Sequence, residues 1–135
     1  MLITKECDYA VRILRALTDK SMLNVKDICA EEEITVPFAY KILNKLRMAE
    51  LVDAYRGSNG GYAATEKAKK STLLDVYQAI DPNFSVGSKF NMSKTKASYP
   101  GASTDGNIRE EIETSQQNFF KVLQRKTLQE VFRGR

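Results

Sequence analysis

The 135-residue sequence predicts a mainly helical fold carrying one small β-hairpin. Three observations lead there. Apolar residues recur at helical spacing through the first fifty residues and again towards the end. Residues suited to capping stand ahead of these stretches. Residues 56–62 read RGSNGGY and hold three of the chain's seven glycines.

The first helix is expected in TKECDYAVRILRAL, where Tyr9, Ala10, Ile13, Leu14 and Leu17 share one face and Thr4 stands as N-cap. A shorter second helix is expected in NVKDICAEEE. Asn24 can cap it, and Asp27 lies near the positive end of its dipole. The third, ITVPFAYKILNKLRMAEL, has Thr35 as cap and Pro37 in its first turn, where a missing N–H is tolerated. Phe38, Ile42, Leu43 and Leu46 form its apolar face, leaving Tyr40, Lys41, Asn44 and Lys45 outward. Strands are expected at 51–56 and 61–65, joined by an Asn59-Gly60 turn, because both residues accept positive φ cheaply. Two short helices followed by a hairpin is the winged helix-turn-helix order.

STLLDVYQAID reads as a further helix, with Thr72 and Asp75 as a capping box and Leu73, Val76, Tyr77 and Ile80 as its stripe. Residues 82–104 are rich in Ser, Gly, Lys and Pro and read as a flexible loop. In the last long helix Ile108, Ile112, Ser115, Phe119 and Val122 are spaced 4, 3, 4, 3, the pattern of a helix lying along a partner helix. A short final helix starts at Thr127. The expected organisation is therefore a winged helix-turn-helix domain at 1–81, the loop at 82–104, and a dimerisation helix with its short successor at 105–135.

Composition narrows the function. The chain has no histidine, which removes the commonest general base and metal ligand. Its two cysteines are too few for a disulfide scaffold. No apolar run approaches the roughly 20 residues that span a bilayer, and the N-terminus scatters charges where a signal peptide needs an apolar block. A cytoplasmic protein without a membrane partner is expected. Net charge is +4, and its distribution is more telling than its size. Residues 24–34 hold four acids and one lysine, whereas residues 37–47 hold Lys41, Lys45, Arg47 and no acid.

The glycine segment must be either a phosphate cradle or a hairpin tip. A Walker A loop needs Gly-Lys-Ser/Thr opening a helix, but YAAT follows Gly60-Gly61. A dinucleotide fingerprint needs G-x-G-x-x-G, which glycines 57, 60 and 61 do not satisfy. A hairpin remains, as a plain turn or as a wing; its place straight after a basic helix favours the wing.

Residues 24–62, NVKDICAEEEITVPFAYKILNKLRMAELVDAYRGSNGGY, resemble the IscR/NsrR/CymR-type bacterial transcription regulators, the Rrf-two family. LITKECDYAVRIL is similar to their first helix, LVDAYRGSNGGY to their wing, and STLLDVYQAID to the helix after it. The likeness is close over about residues 1–82 and looser beyond. It implies a homodimer on double-stranded DNA. By position, Thr35, Pro37, Phe38, Tyr40, Lys41 and Lys45 would face DNA, Tyr40 and Lys41 at base edges, Thr35 and Lys45 at phosphates. Arg56, with Gly57, Gly60, Gly61 and Tyr62, would bring the wing to the minor groove. Tyr40 could instead be a half-buried helix aromatic, and the two lysines a solvated face.

Many relatives hold an iron–sulfur cluster through three cysteines in the loop equivalent to 82–104. This loop has none, and serines 88, 93, 98 and 103 do not replace thiolates. The resemblance is therefore to the cluster-free branch, with no metal and no cofactor expected. Asp8 falls where some relatives supply an acidic cluster ligand. Cys7 and Cys29 stand as candidate redox sensors or as inert core residues. A small-molecule or protein effector could enter against Tyr77, Phe84, Phe90 and Tyr99, or these aromatics could simply pack the loop onto the domain.

The reading that follows is a sequence-specific, homodimeric transcription regulator, a repressor, which sets helix 35–47 in the major groove and wing 56–62 in the minor groove of a pseudo-palindromic operator. The alternative is a winged helix that serves as a protein-interaction module. An enzyme has no base–nucleophile pair to work with.

Overall fold

The structure, a computed structural model, describes residues 3–84 and 102–133, with backbone alone at 102–106. Three helices open the chain: α1 (Lys5–Lys20), α2 (Val25–Glu32) and α3 (Val36–Met48). Each begins where a side-chain oxygen accepts an otherwise orphaned N–H. Thr4 caps the Cys7 N–H, Asn24 the Asp27 N–H and Thr35 the Phe38 N–H. Glu33, at φ 55°, takes the left-handed turn that separates α2 from α3.

The hairpin pairs β1 (Val52–Tyr55) antiparallel with β2 (Gly61–Ala64), in the register Val52↔Ala64 to Tyr55↔Gly61. Leu23, just ahead of α2, adds a bridge to Tyr62 on the far side of β2. The expected Asn59-Gly60 turn does not form. Asn59 and Gly60 keep negative φ; Gly57 carries the positive value, 108°, and the Gly60 N–H donates to the Gly57 carbonyl at 3.0 Å. The loop between the strands is thus 56–60, longer than the two-residue turn the dipeptide favours. Gly60 and Gly61 are needed for room instead. A Cβ on Gly60 would lie 2.3 Å from the Tyr55 carbonyl oxygen, and one on Gly61 would lie 2.6 Å from that of Leu23.

Next come α4 (Glu66–Lys70), capped by Thr65, and α5 (Leu73–Ile80), opened by the expected Thr72–Asp75 capping box. No periodic signal marks α4, a five-residue helix whose one buried side chain is Ala68. The core lies among α1, α3 and α5, where Ile13, Leu14, Leu17, Ile42, Leu43, Leu46 and Val76 are fully buried. Each such side chain contributes about 1.5–3 kcal/mol by leaving water.

α6 (Ala102–Leu123) starts three residues ahead of the expected 105, and α7 (Leu128–Arg133) closes the described chain. Both are joined to the first part of the molecule. Phe84, expected in a flexible loop, is 5% exposed and packs on Tyr77, Phe119 and Phe120 with ring centroids 5.3–6.1 Å away. Leu128 is buried, and its N–H donates to the Ser71 carbonyl at 2.7 Å. Phe90, Tyr99 and the serines at 88, 93 and 98 lie outside the described residues, as does the side chain of Ser103.

Candidate nucleic-acid interface

α3 presents Val36, Pro37, Tyr40, Lys41, Asn44 and Arg47 to solvent, and the hairpin presents Tyr55, Arg56 and Gly57. Tyr40 and Tyr55 are 45% and 50% exposed, far more than aromatic residues that serve the core. Between the two elements runs an open cleft of about 520 Å³, lined by Asn24, Val25, Tyr40, Asn44, Arg47, Tyr55, Arg56 and the backbone of Gly57, Gly60 and Gly61. Its β2 side is anchored to the residue ahead of α2. The Tyr62 N–H donates to the Leu23 carbonyl at 2.7 Å and the Leu23 N–H to the Tyr62 carbonyl at 3.0 Å, so β2 is fixed to the start of α2.

Tyr40, Asn44 and Arg47 follow one another at spacings of four and three, so they line one side of α3. Asn44, Arg47 and Tyr55 were not assigned roles from the sequence, although the spacing of the first two from Tyr40 was readable there. Tyr55 is the last residue before the loop and gave no such signal. Arg47 and Arg56 form no ion pair among the described residues, and their cation charge is free to meet an anion.

Two residues that the resemblance sets toward DNA are engaged within the chain, and Phe38 lies on the apolar face that its spacing predicts. Lys45 is turned back: its Nζ lies 2.9 Å from Glu6 Oε2 and donates to the Ile80 carbonyl at 3.1 Å. The nearby carboxylate and the end of α5 offer it acceptors that bulk solvent cannot match in position. Phe38 is half-buried, edge-on to Tyr9 at 5.6 Å, with the Lys5 ammonium 5.8 Å from its ring centre. Lys41 is exposed, though its Nζ meets Glu6 Oε1 at 2.7 Å. Thr35 is exposed at the start of α3, its hydroxyl oxygen engaged by the Phe38 N–H at 3.4 Å.

The stripe on α6 divides. Ile108 and Val122 are 51% and 60% exposed, and Ser115 is exposed. Ile112 is half-buried, and Phe119 packs on Phe84 of its own chain. Thus part of the stripe faces outward while Phe119 also serves the core.

The cysteines are both free. Cys7 is fully buried, its Sγ 3.9 Å from the Tyr77 carbonyl oxygen. Burial pushes its thiol up, the reverse of what a reactive thiolate requires. Cys29 is half-buried on α2. Among the described residues no three His, Cys, Asp or Glu side chains are grouped to hold a metal ion. One buried thiol and one thiol on another helix do not fit the donor set of an iron–sulfur cluster. No helix among the described residues is long and apolar enough to cross a membrane.

Known proteins share this architecture. The family model Rrf2, described as an iron-dependent transcriptional regulator, matches residues 3–134. Protein aau3 of Rhizobium meliloti is 28% identical over 137 aligned positions, covering 100% of this chain and 87% of that protein. The HTH-type transcriptional regulator NsrR of Oceanobacillus iheyensis is 25% identical, covering 99% of this chain and 91% of that protein. Among solved structures, CymR, the global cysteine regulator of B. subtilis, superposes with a TM-score of 0.73 at 19% identity, covering 98% of this chain and 97% of that one. IscR of T. potens gives 0.64 at 21% identity, covering 98% and 86%. The structural likenesses establish the fold, and the match along nearly the whole length establishes the lineage. The chain belongs to the Rrf2 family of DNA-binding transcriptional regulators, a family that is not enzymatic.

Proposed function

We propose that the protein is a homodimeric repressor of the cytoplasm that reads a pseudo-palindromic operator in double-stranded DNA. α3 enters the major groove, where Tyr40, Asn44 and Arg47 reach base edges and Thr35, Val36 and Pro37 approach the backbone. The wing carries Arg56 to the minor groove, with Gly57 leaving open space beside it and Gly60 and Gly61 letting the hairpin close tightly behind it. Two copies joined along α6 through Ile108, Ile112, Ser115 and Val122 set their α3 helices about one helical turn of DNA apart. Residues 1–81 read DNA and residues 105–135 join the copies. The segment 82–104 contains no cysteine, and the signal is a small molecule or a protein rather than an iron–sulfur cluster.

The observation that carries this reading is the cleft in which an exposed tyrosine, an asparagine and an arginine of α3 face Arg56 of the wing. The test is fluorescence anisotropy, with DNA from upstream of the protein's own gene and with operator fragments selected from genomic DNA. Wild type should prefer the selected fragment to its scrambled version, with affinity falling as salt rises. Arg56→Ala should weaken binding and flatten the salt dependence. Equal affinity for selected and scrambled fragments would refute sequence-specific reading.

A further inference from the structure

Glu6 lies in the first turn of α1, and two lysines of α3 share its carboxylate. Oε1 meets Lys41 Nζ at 2.7 Å, and Oε2 meets Lys45 Nζ at 2.9 Å. The lysines are four residues apart, so they project from one side of α3 and a single carboxylate reaches both. They are not equivalent. Lys45 also donates to the Ile80 carbonyl, the last of α5, and so links three helices. Lys41 has the Glu6 carboxylate alone among the described residues, is 58% exposed, and adjoins Tyr40. The hydrogen bonds from Lys41 and then Lys45 hold the Glu6 carboxyl below its ordinary range, against the opposing effect of burial.

We propose that Glu6 is a specificity-determining residue, an internal carboxylate that occupies Lys41 in place of a DNA phosphate and so suppresses sequence-blind binding. The proposal rests on the DNA-reading role of α3 given above. Sequence-blind affinity arises when lysines and arginines neutralise phosphates and release counterions. A lysine already matched by a carboxylate releases none until it changes partner. On random DNA a phosphate offers Lys41 little that Glu6 does not, and the pair stays closed. On the operator, base contacts made by its neighbours on α3 fix the helix in register and place an acceptor at a set distance, so Lys41 changes partner. Glu6 thereby widens the gap between the operator and all other DNA. Lys45, held by two acceptors, stays in place and keeps α3 seated on α1 and α5.

The test compares wild type, Glu6→Gln, Lys41→Met and the double variant by fluorescence anisotropy on a labelled random-sequence duplex across a salt series. Glu6→Gln should bind about threefold to tenfold tighter, with a log–log salt slope steeper by about 0.9, the value of one added phosphate contact. Lys41→Met should change little in wild type and should cancel the gain in the Glu6→Gln background. That coupling separates the proposal from a general effect of removing one negative charge. An unchanged slope in Glu6→Gln, or an equal effect of Lys41→Met in both backgrounds, overturns it. Glutamine keeps an acceptor for Lys45, which favours folding. Should it fail to fold, Lys41→Met alone decides: an unchanged slope supports the proposal, and a loss of about 0.9 overturns it. Arg56→Ala separates the two levels. If it weakens binding while the Glu6 variant does not change it, DNA reading stands and this inference falls. If neither alters binding to random or operator duplex, both fall.

Discussion

Where β2 meets Leu23, backbone donors and acceptors are satisfied inside one chain. Along α6, Ile108 and Val122 are more than half exposed, with no cover among the described residues. The first region is complete in a single subunit: its caps, its bridge and its tight glycine contacts need nothing from outside. The second presents apolar surface that no other described residue covers. The wing is therefore fixed by contacts within one chain, whereas the outer face of α6 is free for the assembly proposed above.

The largest effect is expected at Gly61. A valine there would drive its Cβ into the Leu23 carbonyl, and Gly61→Val should cost about 3 kcal/mol in urea unfolding. Gly57→Ala meets nothing within 4 Å and bears only the positive φ, so about 1 kcal/mol is expected. Equal costs at the two positions would mean that the bridge does not constrain the wing. Next comes Val122→Asp, which touches no core and should leave a helical, folded monomer in sedimentation. With two half-sites no longer bound together, operator affinity should fall about 100-fold. A Val122→Asp protein that still sediments as a dimer would move the interface elsewhere on the molecule. Phe119→Asp should differ from it by also lowering subunit stability, because Phe119 packs on Phe84.

A smaller effect belongs to Arg56→Ala, expected to weaken operator binding by about 1–2 kcal/mol with no change in thermal melting. Smallest is the acid response of Glu6. Its folded carboxyl ionises more readily than the unfolded one, with Lys5 and Asp81 lining the same cleft. Its stabilising contribution is therefore full at neutral pH and fades as pH falls through the folded value, below the ordinary carboxylate range. Glu6→Gln should show a shallower loss of stability over that acid interval, by about 1 kcal/mol or less. Parallel pH profiles for the two proteins would show that the lysine pair adds no stability.

What was legible in the sequence was mostly local. Thr4, Asn24, Thr35 and Thr72 cap the helices expected of them, because a cap needs only residues three positions away. The buried face of α1 follows directly from its spacing. Features set by distant residues were not legible. The need for glycine at 61 is set by the approach of Leu23, and the inward turn of Lys45 depends on Glu6, 39 residues earlier. The sequence leaves Phe84 two readings, pocket lining or packing onto the domain; it packs, against Phe119 and Phe120 of α6. On the candidate interface, Tyr40 and Arg56 are named by position and Asn44 and Arg47 share the helical spacing of Tyr40, whereas Tyr55 joins them only through the fold of the hairpin against α3.

On the reading of DNA proposed above, the Leu23–Tyr62 bridge also bears on how new sequence preferences could be installed in this scaffold. A transplanted α3 would arrive against a hairpin whose placement is dictated by the residues before α2. The smallest exchangeable cassette is therefore the stretch from Leu23 to Tyr62, moved as one piece. Shorter grafts would carry new letters into a frame still spaced for the old ones.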